Sequence, residues 1–346
     1  MTRPFGDSEL RERTPRRGPA WQAAGVRLLR TPEERFSALE GFGHRPRYVE
    51  VADPDGGPAP VRVATYGVGP EGPGAGPTVL LLHGEPTWSY LYRHVLDALA
   101  GAGVRAVAVD LVGFGRSDKP AEVADHTYAR HVAWVREAVF EALGLDDLVL
   151  LGQDWGGLIG LRLVAADPDR FRAVVAANTG LPTGDVDMPE PWWRFRRAVE
   201  RADTLDVGRL VASGCARGLP SSARAAYDAP FPDEAAKAGP RAMPLLVPTR
   251  PDDPETEANR AAWAALADYA RPFVVAFSDS DPITGAMAPV LRGHVRGAGA
   301  GGGEDPGHAV LRGAGHFLQE DAGAELASVV VGVVRRVARQ GDQPGA

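Results

Sequence analysis

The chain holds a single cysteine, Cys215, so no intrachain disulfide can form. With no histidine near it in sequence, that thiol reads as a small buried apolar residue, and the cysteine usage fits a reducing cytoplasm. Long apolar runs are also missing. The longest aliphatic stretch, residues 329–334, is interrupted by Gly332 and is far too short to span a bilayer. Neither sign of charge dominates: 38 Lys and Arg stand against 45 Asp and Glu, a formal net charge of −7. That balance argues against nucleic acid or a membrane as the main partner. Histidines, cysteines and acids are not clustered at ligand spacing, so neither a metal nor another cofactor is expected. The glycine-rich residues 297–303 lack the context of a nucleotide-binding turn and read as a flexible surface loop. A monomer is the default expectation.

What is present is a large apolar fraction, 44% of 346 residues, enough to bury a substantial core. Short β-branched runs at 61–66, 78–83, 104–109, 148–152, 174–178, 273–278 and 309–312 alternate with helical patterns at 131–143, 158–166 and 322–339. This alternation predicts an α/β fold with a mostly parallel sheet covered on both faces. Residues 181–268 differ: they contain no convincing strand, many prolines, and Trp192, Trp193 and Trp263. They are expected to form a helical cap inserted into an α/β core built from residues 30–180 and 269–340, lying over the sheet's carboxyl edge where such sheets bind ligands. Residues 1–29 read as a loosely packed N-terminal extension.

The chemistry concentrates in Gly152-Gln153-Asp154-Trp155-Gly156, which follows an aliphatic strand and precedes a helix. Small residues flanking one exposed side chain there make a nucleophile elbow, with a carboxylate where esterases and lipases carry serine. Serine attacking a saturated carbon would leave an ether, which water cleaves poorly. A carboxylate leaves an ester, which an activated water can hydrolyse. The bland alternative, that Asp154 only caps the next helix, is countered by the residues downstream. Asp279 and Asp281 come after one strand, and His316 comes after the last, in the acid-then-histidine order of hydrolase triads. His316 would take a proton from water, with Asp281 fixing its tautomer; Asp279 competes with Asp281, one of the two being a turn residue. His83-Gly84-Glu85-Pro86 ends another strand, and the backbone N–H groups of Glu85 and Trp155 are the expected oxyanion hole.

An electrophilic saturated carbon means an alkyl halide or an epoxide. Epoxide opening is helped by tyrosine hydroxyls, and the predicted cap offers Tyr227, with Tyr269 at its boundary. A halide needs only desolvated donors, and the Trp155 indole N–H beside the nucleophile is one. The chemistry favours halide. A non-catalytic hydrolase-fold binding protein is a further alternative, since fold alone does not establish activity.

Several segments resemble haloalkane dehalogenases: Arg30-Thr31-Pro32-Glu33-Glu34-Arg35-Phe36, HGEPTWSYLYR from His83, GFGRSDKP from Gly113, QDWGG from Gln153, APFPD from Ala229 and AGHFLQE from Ala314. The resemblance runs from about Arg30 to Val337 and is nearest the subfamily whose first loop reads H-G-E-P. It implies an α/β-hydrolase fold and a triad of Asp154, His316 and Asp281. It implies further that Trp155 is one of two halide-binding tryptophans, and that the substrate is a small halogenated organic molecule. The second halide tryptophan, early in the family's cap, aligns with Phe195, which has no N–H to give. Trp192 is the provisional substitute, with Trp193 the other candidate.

Overall fold

The computed structural model describes residues 26–37, 39–56, 60–72 and 76–341. Its sheet is built from β1 (Arg47–Val51), β2 (Val61–Val68), β3 (Thr78–Leu82), β4 (Ala106–Val109), β5 (Leu148–Gln153), β6 (Phe171–Ala177), β7 (Phe273–Ser278) and β8 (Ala309–Leu311). Their order across the sheet is β8-β7-β6-β5-β3-β4-β2-β1. β2 runs antiparallel to both its neighbours, β1 and β4. The other pairings are parallel. Strands in the middle of such a sheet are buried on both faces, and their sequences show it. Thr78-Val-Leu-Leu-Leu82 and Leu148-Val-Leu-Leu-Gly-Gln153 are buried at every position.

Parallel pairing requires helical crossovers. Helices α1 (Arg93–Gly101), α2 (Tyr128–Arg136) with a π-helical turn after it, and α3 (Trp155–Ala166) supply crossovers, and α10 (Leu318–Gly341) follows the last strand. Between β6 and β7 the chain forms helices α4 (Glu190–Arg201), α5 (Val207–Ser213), α6 (Ser221–Asp228), α7 (Ala238–Leu246) and α8 (Thr256–Asp268), with no strand. α9 (Met287–His294) comes after β7. No helix among the described residues is long and apolar enough to cross a membrane.

Three expectations need adjusting. β1 carries no clear apolar run, because it is an edge strand with mostly exposed or half-buried side chains, and the sequence did not reveal it. Of the N-terminal extension, residues 1–25 lie outside the described residues, but Leu28–Leu29 pair antiparallel with Lys119–Pro120 and so are docked. The glycine-rich 297–303 stretch is not wholly a surface loop. Gly297 donates to the Tyr269 carbonyl at 2.7 Å, and Ala298 is buried.

Candidate active site

The loops after β3, β5, β7 and β8 converge at the sheet's carboxyl edge. Asp154 caps β5 with φ +50° and ψ −125°, a left-handed backbone that a carboxylate-bearing residue adopts only under constraint. The turn is held by its backbone: Asp154 N–H donates to the Asn178 carbonyl at 3.0 Å, and Thr179 Oγ1 donates to the Asp154 carbonyl at 2.7 Å. The flanking glycines are steric necessities. A Cβ on Gly156 would stand 1.9 Å from the Leu82 carbonyl oxygen, and one on Gly84 would stand 2.3 Å from Asp154 Oδ1.

The carboxylate faces two ways. Oδ1 accepts the Glu85 backbone N–H at 2.9 Å. Oδ2 lies 3.5 Å from His316 Nε2. On its other side the imidazole meets Asp281, with Nδ1 to Oδ2 at 3.1 Å. Asp281 is buried and also accepts the N–H groups of Ile283 and Thr284 and the Thr284 hydroxyl. Burial opposes its charge, but His316 and these donors prevail and push its pKa down to about 2. For His316 burial likewise favours the neutral ring. The charge of Asp281 and the bonds to both carboxylates outweigh it and push the pKa up to about 10.

The competing acid is placed elsewhere. Asp279 is exposed and accepts the N–H groups of Gly313 and Ala314, tying the strand ends together without touching His316. Of the two expected oxyanion donors, Glu85 reaches Asp154, whereas no matching bond from the Trp155 N–H is present among the described residues.

Two residues emerge that sequence reasoning passed over. Asn178 is fully buried with φ +38°. Its side-chain amide donates to Ser278 Oγ and to the Gly315 and His316 carbonyls, and its Oδ1 takes the Ser278 N–H. It therefore fastens the elbow, β7 and the histidine loop to one another. Gln153, also fully buried, places its amide nitrogen 3.3 Å from both His316 Nε2 and the His316 carbonyl. A polar residue at the end of an otherwise aliphatic strand was the available signal in each case.

Above Asp154 and His316 opens a cavity of about 980 Å³, bordered by Asp154, Trp155, His316, Leu158 and Pro282 below and by residues of α4, α5, α7 and α8 above. Trp192 and Phe195 both border it. Trp193 does not; it packs edge-on against Trp192 with ring centroids 4.8 Å apart. Trp88 and Trp263 spend their indole N–H groups on the carbonyls of Ala226 and Leu181. Those of Trp155 and Trp192 have no protein acceptor among the described residues. Cys215 is half-buried at the cavity wall, its thiol pKa pushed up by burial, which leaves it unreactive. Among the described residues no group of three or more His, Cys, Asp or Glu side chains could hold a metal.

Residues 77–322 match the family described as the alpha/beta hydrolase fold. The chain is 44% identical over 306 residues to the haloalkane dehalogenase of Psychrobacter cryohalolentis, covering 88% of this chain and 97% of that one. It is 46% identical over 304 residues to that of Mycobacterium marinum, covering 88% and 98%. The chain belongs to the haloalkane dehalogenase family. Among solved structures, the tetrameric haloalkane dehalogenase of Paraglaciecola agarilytica superposes with a TM-score of 0.78 at 35% identity, covering 88% of this chain and 97% of that one.

The two tyrosines weighed for epoxide opening are both engaged by other groups. Tyr227 is fully buried, and its hydroxyl donates to Glu320. Tyr269 donates to the Phe171 carbonyl at 3.0 Å. Neither borders the cavity of this dehalogenase-family site.

Proposed function

We propose that this chain hydrolyses carbon–halogen bonds in small haloalkanes, with Asp154 as nucleophile, His316 as base and Asp281 as its orienting acid. The observation that carries the reading is the Asp154 carboxylate at the floor of an apolar cavity, one oxygen on the Glu85 N–H and the other turned to His316 Nε2. One carboxylate oxygen attacks the halogen-bearing carbon, the carbon–halogen bond breaks, and halide leaves toward the Trp155 indole N–H. Trp192 is the second donor from the cap, Phe195 having none to offer.

The free chain holds His316 protonated between two carboxylates. Alkylation turns Asp154 into a neutral ester, removing one of the two charges that retain the proton, so the imidazole pKa falls and the ring becomes a base. It then takes a proton from water attacking Cγ of Asp154. The oxygen that becomes negative is held by the backbone N–H groups of Glu85 and Trp155. Collapse releases the alcohol, and the balance is one halide ion and one proton per water consumed.

In this reading residues 181–268 are the cap and residues 30–180 and 269–340 the catalytic core. A monomer in the cytoplasm is proposed with it, and size-exclusion chromatography with light scattering tests the monomer against the tetramer of the Paraglaciecola enzyme. The epoxide alternative loses support because Tyr227 and Tyr269 are both committed to other partners.

The test is halide release from a panel of short bromo- and chloroalkanes, with Asp154→Asn as control. Bromide release that vanishes in the variant is the expected result. Turnover of epoxides without any halide release would reject the proposal.

A further inference from the structure

Glu85 contributes more than its backbone. The residue is 5% exposed and borders the cavity, and its Oε1 is sealed from solvent with no hydrogen-bond partner. Its own N–H is bonded to Asp154 Oδ1, so a second carboxyl group is carried by the residue that touches the reacting one. The charged groups facing it are Asp154 from the elbow and His316 from the loop after β8. The His316 ring is already engaged by Asp281 and Asp154. Among the described residues no arginine or lysine pairs with Glu85. A carboxylate ionised in such a place would be buried, without donors, and next to another negative charge, and each condition favours the protonated form.

We propose that Glu85 is carried as a neutral carboxylic acid, and that its proton is the condition for a halide ion to occupy the cavity beside Asp154. The proposal rests on the carbon–halogen reading of the site. Halide departure already puts one anion next to Asp154. An ionised Glu85 would add a second on the same side, whereas the neutral acid adds none and keeps an O–H donor at the cavity wall. Burial first, and the Asp154 charge second, push the Glu85 pKa well above the ordinary carboxyl range, with His316 opposing them.

Bromide binding monitored by tryptophan fluorescence across pH, in the wild-type chain, Glu85→Gln and His316→Gln, tests this. His316 also loses charge in alkaline solution, which is why its variant is needed. The wild-type dissociation constant should be flat at low pH and then rise about tenfold per pH unit once Glu85 ionises. In Glu85→Gln that rise should disappear, leaving only the weakening that sets in as His316 loses its proton near pH 10. In His316→Gln it should persist and move to higher pH, because His316 no longer lowers the Glu85 pKa. Infrared difference spectra give a readout independent of bromide: a protonated-carboxyl carbonyl band near neutral pH in the wild type, absent from Glu85→Gln and retained, shifted, in Glu85→Asp. A wild-type rise that survives Glu85→Gln unchanged in pH and vanishes in His316→Gln, or a wild-type spectrum without the acid band, would overturn the proposal. A cavity that takes no bromide at any pH would overturn it together with the halide reading of the site.

Discussion

The floor and the roof of the cavity are held by different forces. On the floor, Asp154, Asp281 and His316 sit at the ends of parallel strands, and hydrogen bonds position them: the Glu85 N–H on Asp154, the Ile283 and Thr284 N–H groups on Asp281, and the buried Asn178 side-chain amide on the histidine loop. On the roof, Trp192 and Phe195 stand on α4, a helix placed by side-chain packing. Strand register fixes a floor residue to within a hydrogen bond. Helix packing leaves a roof residue dependent on the length of every loop before it. In the proposed reaction the groups that form and break bonds accordingly lie on the floor, and the roof shapes the space above them.

The largest effects should therefore come from the floor. Asp154→Asn is expected to lower bromide release by about 10⁴-fold or more, as removing a nucleophile does. His316→Phe should differ in kind. Its first step needs no base, so one equivalent of halide appears and the chain is left alkylated, which intact-mass measurement detects. Steady release from His316→Phe, with no added alkyl mass, would place the base elsewhere and break the comparison.

Asp281→Asn comes next, with an expected loss of about 10⁴-fold from the wrong imidazole tautomer, whereas Asp279→Asn should leave the rate within a few-fold of wild type. Their pH behaviour sharpens the contrast. The folded His316 pKa, about 10, lies above its ordinary 6.5, so its contribution to stability is full below 6.5 and is lost as pH rises through 10. The folded Asp281 pKa, about 2, lies below its ordinary 3.8, so its contribution is present above 3.8 and lost as pH falls toward 2. Removing Asp281 weakens both, and Asp281→Asn should accordingly show a flatter stability profile at each end when denaturation midpoints are measured from pH 2 to 10.

How far the sequence spoke obeys the same division. Gly152-Gln-Asp-Trp-Gly156 is legible because steric contacts demand its glycines and chemistry demands its carboxylate, both within five residues. β3 and β5 are legible because burial on both faces writes unbroken aliphatic runs. Edge strand β1 was missed because all its side chains but that of Val51 meet water. Asn178 was missed because its role lies in four hydrogen bonds to residues at least 100 positions away, and its place at the end of an aliphatic strand marks it as unusual without naming those partners. On the roof, three aromatic residues within four positions could not be ranked until the turn of α4 put Trp192 and Phe195 on the cavity side and Trp193 off it.

The two indole donors at the cavity should differ in the same way. Trp155→Phe removes a donor rooted in the elbow and should raise the bromide dissociation constant by about 10–100-fold, the cost of losing a hydrogen bond to a charged partner. Trp192→Phe removes one from a helix that can shift, and a smaller rise, under about 10-fold, is expected in the same fluorescence titration. Equal effects would mean that the roof is as well fixed as the floor.

Tyr227→Phe should have the smallest effect on rate. Its hydroxyl donates to Glu320, which also receives Arg93 through two bonds of 2.5 and 2.8 Å, so one buried cluster joins α6 of the roof to α1 and α10. Asp321, the next residue, accepts the N–H groups of Ala216 and Arg217 from the roof and of Gly315 from the histidine loop. The roof is thus fastened to the floor one helical turn beyond His316. Losing the tyrosine donor should cost about 1.5–3 kcal/mol, the worth of a hydrogen bond to a charged group, seen as a lower denaturation midpoint. The rate of bromide release should stay within about twofold, because Arg93 still holds Glu320 and the hydroxyl does not border the cavity. A Tyr227→Phe chain that unfolds normally but has lost turnover would show that the roof supplies a reacting group after all.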